Sequence, residues 1–163
     1  MKGPIGFGRM VNLVMNFILG LCMTLVILVA VGAPLAPEAI IESWFASFCI
    51  GYAFGDLIPI ASAGPAICKA LKMRNPIGLY VISSIVLGAF FGTIILFGNA
   101  LINNLPTMGW GAVFGFFVGF WLIAVVAAIV LVLIFLWLAQ KIAAAVSGCD
   151  PSKMPPTPEA QQA

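Results

Sequence analysis

Charge is the scarcest commodity in this sequence. Asp, Glu, Lys and Arg make up 7% of the 163 residues and histidine is absent, whereas a soluble domain is about a quarter charged. So few charges cannot clothe a water-exposed surface. The net charge of +2 comes with no contiguous basic patch, which removes the usual footprint for nucleic acid. The lack of histidine removes imidazole metal ligands and imidazole acid–base chemistry. The four cysteines, Cys22, Cys49, Cys68 and Cys149, are too far and too irregularly spaced for a CxxC metal or redox motif. Three of them sit in apolar or near-interfacial stretches, where a thiol serves as a small apolar side chain.

In place of charge there is hydrophobicity, at 63% of residues and a mean hydropathy of +1.20. No charged residue falls between Met10 and Pro37, and none from Asn75 to Gln140. Each run exceeds the roughly 20 apolar residues that carry a helix across a bilayer. The pattern predicts an all-α, four-helix transmembrane bundle. The first span runs from Val11 to Val31 and stops at Gly32, Pro34 and Pro37. It is too long for a signal-peptide apolar region, and Leu19-Gly20-Leu21-Cys22 is a poor lipidation box because Leu21 is bulky. The second span runs from Ala39 to about Ala70 and carries Asp56, with Pro59 and Pro65 expected to kink it or break it locally. Asn75-Pro76 is a cap and first-turn pair for a third span from Ile77 to Ile102. A turn at Asn103, Asn104 and Pro106 then leads to a fourth, from about Gly109 or Trp110 to Ala145.

Lys2 and Arg9, then Lys69, Lys72 and Arg74, then Lys141 all fall on one side of these spans, while Glu38 and Glu42 mark the other. The positive-inside rule therefore places both termini in the cytoplasm. Trp44, Trp110 and Trp137 suit the headgroup boundary. Residues 1–146 form the transmembrane domain, and 147–163, with Pro151, Pro155, Pro156 and Pro158, read as a flexible cytoplasmic tail.

Two halves can be overlaid. Ile18-Leu19-Gly20 resembles Val86-Leu87-Gly88, and Trp44-Phe45-Ala46-Ser47-Phe48 resembles Trp110-Gly111-Ala112-Val113-Phe114. The halves would then be parallel repeated helical hairpins, an arrangement that gives none of the support for transport that inverted repeats give. Small residues recur at a spacing of four: Gly51 and Gly55, Gly88 and Gly92, and Gly111, Gly115 and Gly119. That spacing lets helices approach closely, within one chain or across an oligomer interface. Asn12, Asn16, Gly20 and Thr24 form a polar stripe on the first helix, and Ser84, Gly88, Gly92 and Asn99 a looser one on the third.

Asp56 is the anomaly. On the expected second span it lies roughly 20 Å along the helix from both Glu42 and Lys69, near mid-membrane, where a carboxylate is costly and marks a relay or an internal partner. Tyr52 is one turn away, and Asn16 and Asn99 from neighbouring helices would complete a polar or proton site. With no cation expected at that depth, a neutral, hydrogen-bonded acid is the natural state. No compact carboxylate pair, phosphate loop or nucleophile with an evident base is present. The reading is therefore not an enzyme, with no cofactor and no metal.

The stretch Asn16 to Val26, with its Met23-Thr24 pair, followed by Trp44-Phe45-Ala46 and Ile58-Pro59-Ile60, resembles a small bacterial integral membrane family of unknown function built from repeated two-helix units. The resemblance is best over residues 11–72 and implies a bacterial inner-membrane protein, without a substrate or reaction. Two functional readings follow. The leading one is a membrane structural or protein-interaction module in contact with lipids and with a second copy or another membrane protein. The alternative is a small-solute or proton transporter using the Asp56 carboxylate.

Overall fold

The computed structural model of the chain describes residues 3–58, 67, 70 and 75–148. Among them are three long helices: α1, Gly3–Val31; α2, Pro37–Leu57; and α3, Pro76–Ser147. α1 ends where Gly32 turns left-handed, at φ 72°. The Gly32 N–H donates to the Val29 carbonyl and the Ala33 N–H to the Leu28 carbonyl, a pairing that closes the helix end and needs a residue without a Cβ. Pro37 opens α2 after an extended Ala36, and Glu38 sits in the first turn, where the helix dipole favours a negative charge. α2 stops at Ile58, which is extended as befits a residue followed by proline. α3 starts on Asn75, whose Oδ1 accepts from the Ile77 N–H at 3.0 Å.

The four-helix bundle of paired hairpins expected from the sequence is corrected here: among the described residues there are three long helices and no clear repeated two-helix pattern. The turn foreseen at Asn103, Asn104 and Pro106 is helical. Asn103 Nδ2 donates to the Asn99 carbonyl and Asn104 Nδ2 to the Ala100 carbonyl, so both amides bond back onto their own helix and no loop is released. Reversal comes later, at Gly109, whose φ of 75° and ψ of −175° interrupt α3. The second helix meets its expected break at the prolines. It ends at Leu57, and the expected continuation through Pro59, Pro65 and Lys69 lies outside the described residues, as does the tail beyond Gly148.

From Gly109 the two arms of α3 fold onto each other. Tyr80 Oη donates to the Leu133 carbonyl at 2.7 Å, Trp121 Nε1 donates to Thr93 Oγ1 at 3.0 Å, and Phe97 meets Phe117 edge-on. A methyl added to Gly88 would lie 2.5 Å from the Ile129 Cα, and one on Gly92 would lie 2.9 Å from the Ala124 carbonyl oxygen. The arms thus touch backbone to backbone. α1 packs on both α2 and α3, and the core is drawn from Met15, Leu19 and Met23 of α1 with Phe91, Ile95, Leu96, Ala128 and Val132 of α3.

The outside is as apolar as the inside. Val118 is 73% exposed, Leu122 65% and Phe45 62%, and such residues recur along the whole length of the helices. In water this would be a continuous apolar patch of a kind soluble monomers avoid. Two helices are long and apolar enough to cross a membrane, Ile5–Val31 at a mean hydropathy of 2.6 and Ile77–Ser147 at 3.2. The described residues form an all-helical domain whose two long apolar helices are consistent with a membrane-associated role.

Candidate functional site

The interior carries a polar seam. On α1, Asn12, Asn16, Gly20 and Thr24 recur every four residues and so share one helical face. Ser47, Gly51 and Gly55 do the same on α2, which runs back along α1 in antiparallel register. Each asparagine faces a glycine: a methyl on Gly55 would land on Asn12 Oδ1, and one on Gly51 on Asn16 Oδ1. Gly20 lies against the Phe48 backbone, with its added methyl 3.1 Å from the Phe48 nitrogen. The missing side chains of α2 are therefore the sockets for the amides of α1.

Hydrogen bonds run along this seam. Asn12 Nδ2 donates to the Tyr52 carbonyl at 3.1 Å. Asn16, fully buried, donates through Nδ2 to both the carbonyl and Oδ1 of Asn12, at 2.9 and 2.6 Å. Farther along, Thr24 Oγ1 and Ser47 Oγ are 3.4 Å apart. Asn99 Nδ2, from α3, donates to Ser47 Oγ at 2.8 Å and to the Ile95 carbonyl at 2.9 Å. Two acceptors are left over, Asn16 Oδ1 and Asn99 Oδ1, both buried and without a hydrogen-bond partner. A buried amide oxygen with no donor forfeits about 1–3 kcal/mol.

The residues singled out in the sequence separate into groups. Asn16 and Tyr52 meet through Asn12, and Tyr52 enters by its backbone carbonyl while its ring stacks on Phe48 at 6.0 Å. Asn99 joins Ser47. Asp56 belongs to neither group. It occupies the last turn of α2, half-exposed, with Arg9 Nε 3.4 Å from its Oδ1. The absence of a cation at its depth is thereby corrected: α1 begins at Gly3, eight residues before the expected Val11, and so carries Arg9 alongside Asp56. Gly51, Gly55, Gly88 and Gly92 lie at close contacts between helices, whereas Gly111, Gly115 and Gly119 have nothing within 4 Å. Ser47 and Arg9 escaped sequence reasoning. One more step of four back from Gly51 reaches Ser47, and extension of the first helix through Gly3-Pro4 would have reached Arg9.

Crevices enter the bundle at both ends. One, of about 490 Å³, lies where α1 begins and α2 ends, and is mostly apolar with Asn12, Tyr80, Ser83 and Gln140 among its walls. Another, of about 270 Å³, lies beside the α1–α2 connection and is lined by Thr24, Glu42, Ser43, Asn99, Asn103 and Asn104 among apolar residues. Among the described residues no group of three or more Cys, Asp or Glu side chains is placed to hold a metal ion. Comparison with known protein families, with curated proteins and with solved structures finds no match.

Proposed function

We propose that the chain is a small structural and interaction module of the bacterial inner membrane, with both termini cytoplasmic, which assembles with a second copy of itself through the glycine face of α3. The observation that carries this reading is a contrast among glycines. At Gly20, Gly51, Gly55, Gly88 and Gly92 an added methyl would strike a neighbouring helix, while the same spacing at Gly111, Gly115 and Gly119 meets empty space. Lipid tails offer no hydrophobic drive for helices to associate, so close backbone approach at small residues is the main source of attraction. A single stripe is self-complementary across a two-fold axis, which suits a homodimer.

A pathway built on the Asp56 carboxylate is the weaker reading, because Arg9 stands beside that group at the end of α2. The test is Gly115→Ile, read by light scattering of detergent-purified protein and by disulfide trapping of Val118→Cys in membranes. The wild-type chain should dimerise and Gly115→Ile should weaken the dimer at least roughly tenfold, about 1.4 kcal/mol, without loss of fold. A chain that is monomeric throughout, or a dimer indifferent to Gly115→Ile, would sink the homodimer. Capture of a different membrane protein that depends on Gly115 would replace the partner and keep the module.

A further inference from the structure

The smaller crevice sets one carboxylate among amides and hydroxyls and meets no cation among its described lining. Asn99 uses both amide hydrogens, on Ser47 Oγ and the Ile95 carbonyl. Asn103 and Asn104 each direct Nδ2 to a helix carbonyl one turn back. Asn103 and Asn104 thus keep an oxygen and one N–H each, while Asn99 Oδ1 is buried beneath them with no partner. The Thr24 and Ser43 hydroxyls can accept or donate, and Glu42 is the sole charged residue among the described lining.

The local helix ends agree with this charge balance. α1 reaches the crevice with Leu28 and Val31 of its C-terminal turns, the negative pole of its dipole. The positive pole of α2 is offset by Glu38 and Glu42. An anion would find no cationic partner among the described lining and several oxygens set against it. The remaining wall is alkyl and aromatic, including Met23, Leu96 and Phe116.

We propose that this crevice binds a small protonated alkylamine, its ammonium head held by Glu42 and the amide oxygens of Asn103 and Asn104, its alkyl body against Met23, Leu96 and Phe116. An ammonium is a pure donor with three N–H groups, which one carboxylate and two amide oxygens can accept. Charge-assisted hydrogen bonds of this kind are about twice as strong as neutral ones. A cavity of about 270 Å³ is near the lower bound of roughly 300 Å³ for ligand pockets, which suits a short chain such as butylammonium. The site lies within one copy and does not depend on assembly.

Calorimetric titration of the full chain in lipid nanodiscs tests this, with n-butylammonium, n-butanol and butyrate as probes. Saturable binding of butylammonium alone is the expected result. Glu42→Gln, an exposed substitution with no fold to disturb, should weaken it roughly tenfold or more, the loss of one charge-assisted contact. Asn103→Ala should weaken it further, and Gly115→Ile should leave it unchanged. No saturable butylammonium binding to folded protein, equal affinity in Glu42→Gln, or equally tight butanol binding would each overturn the proposal. Equal competition by potassium would assign the crevice to a metal cation and overturn it too.

Discussion

At the scale of single residues, the fit of Asn16 into Gly51 concentrates the most chemistry in the least space. The amide donates twice to Asn12 while its oxygen rests on the bare α-carbon face of Gly51. A weak Cα–H···O contact is the natural interaction there. Gly51→Ala should therefore destabilise the fold by about 1–3 kcal/mol, an overpacking penalty, because the new methyl meets Asn16 Oδ1 and lies 3.3 Å from Ile95 Cδ1. Unfolding in SDS titrations of the purified chain measures this. Asn16→Ala in the same chain should recover much of the loss, and a Gly51→Ala chain as stable as wild type would refute the socket. The stripe of Asn12, Asn16, Gly20 and Thr24 was legible in the sequence because spacing alone defines a face. The Arg9–Asp56 pair was not, because a glycine and a proline near the amino terminus disguise how early the helix begins.

At the scale of elements, Gly109 decides how α3 is used. Its φ and ψ fall in a region open essentially to glycine, and no atom lies within 4 Å of where a Cβ would stand. Any loss on substitution therefore reports backbone torsion alone. Gly109→Ala should cost about 1–3 kcal/mol in the same SDS titration, and should weaken the contact of the arms, read as loss of trapping by a short bis-maleimide between cysteines placed at Tyr80 and Leu133. Retained stability with intact trapping would show that another residue makes the reversal. The Asn75-Pro76 start and the Gly32 stop could be read beforehand, since capping chemistry is local. The reversal was misplaced because two asparagines close before a proline signal a turn, yet here the amides found acceptors on their own helix.

At the scale of the molecule, apolar side chains face outward and hydrogen-bonding ones meet along an interior seam, which the paucity of charge foretold in outline. The way the helices are joined was beyond the sequence, since hydrophobic runs record residence in a bilayer and say little about which runs pair. The joints at one end of the bundle are unequal. α1 and α2 are separated by 32–36, outside any helix, with Leu35 53% exposed, whereas α3 reverses at a single residue with helix on both sides. A protease must draw a length of extended chain into its cleft, and at this end only the first joint supplies one. Proteinase K applied to that side of sealed vesicles should nick the chain at Leu35 and spare 103–109. First cleavage within 103–109 would contradict this. With α1 cut loose yet still seated on α2 and α3, a nicked protein that stays assembled would behave as two separately insertable fragments, and co-expression of 1–34 with 35–163 should rebuild it.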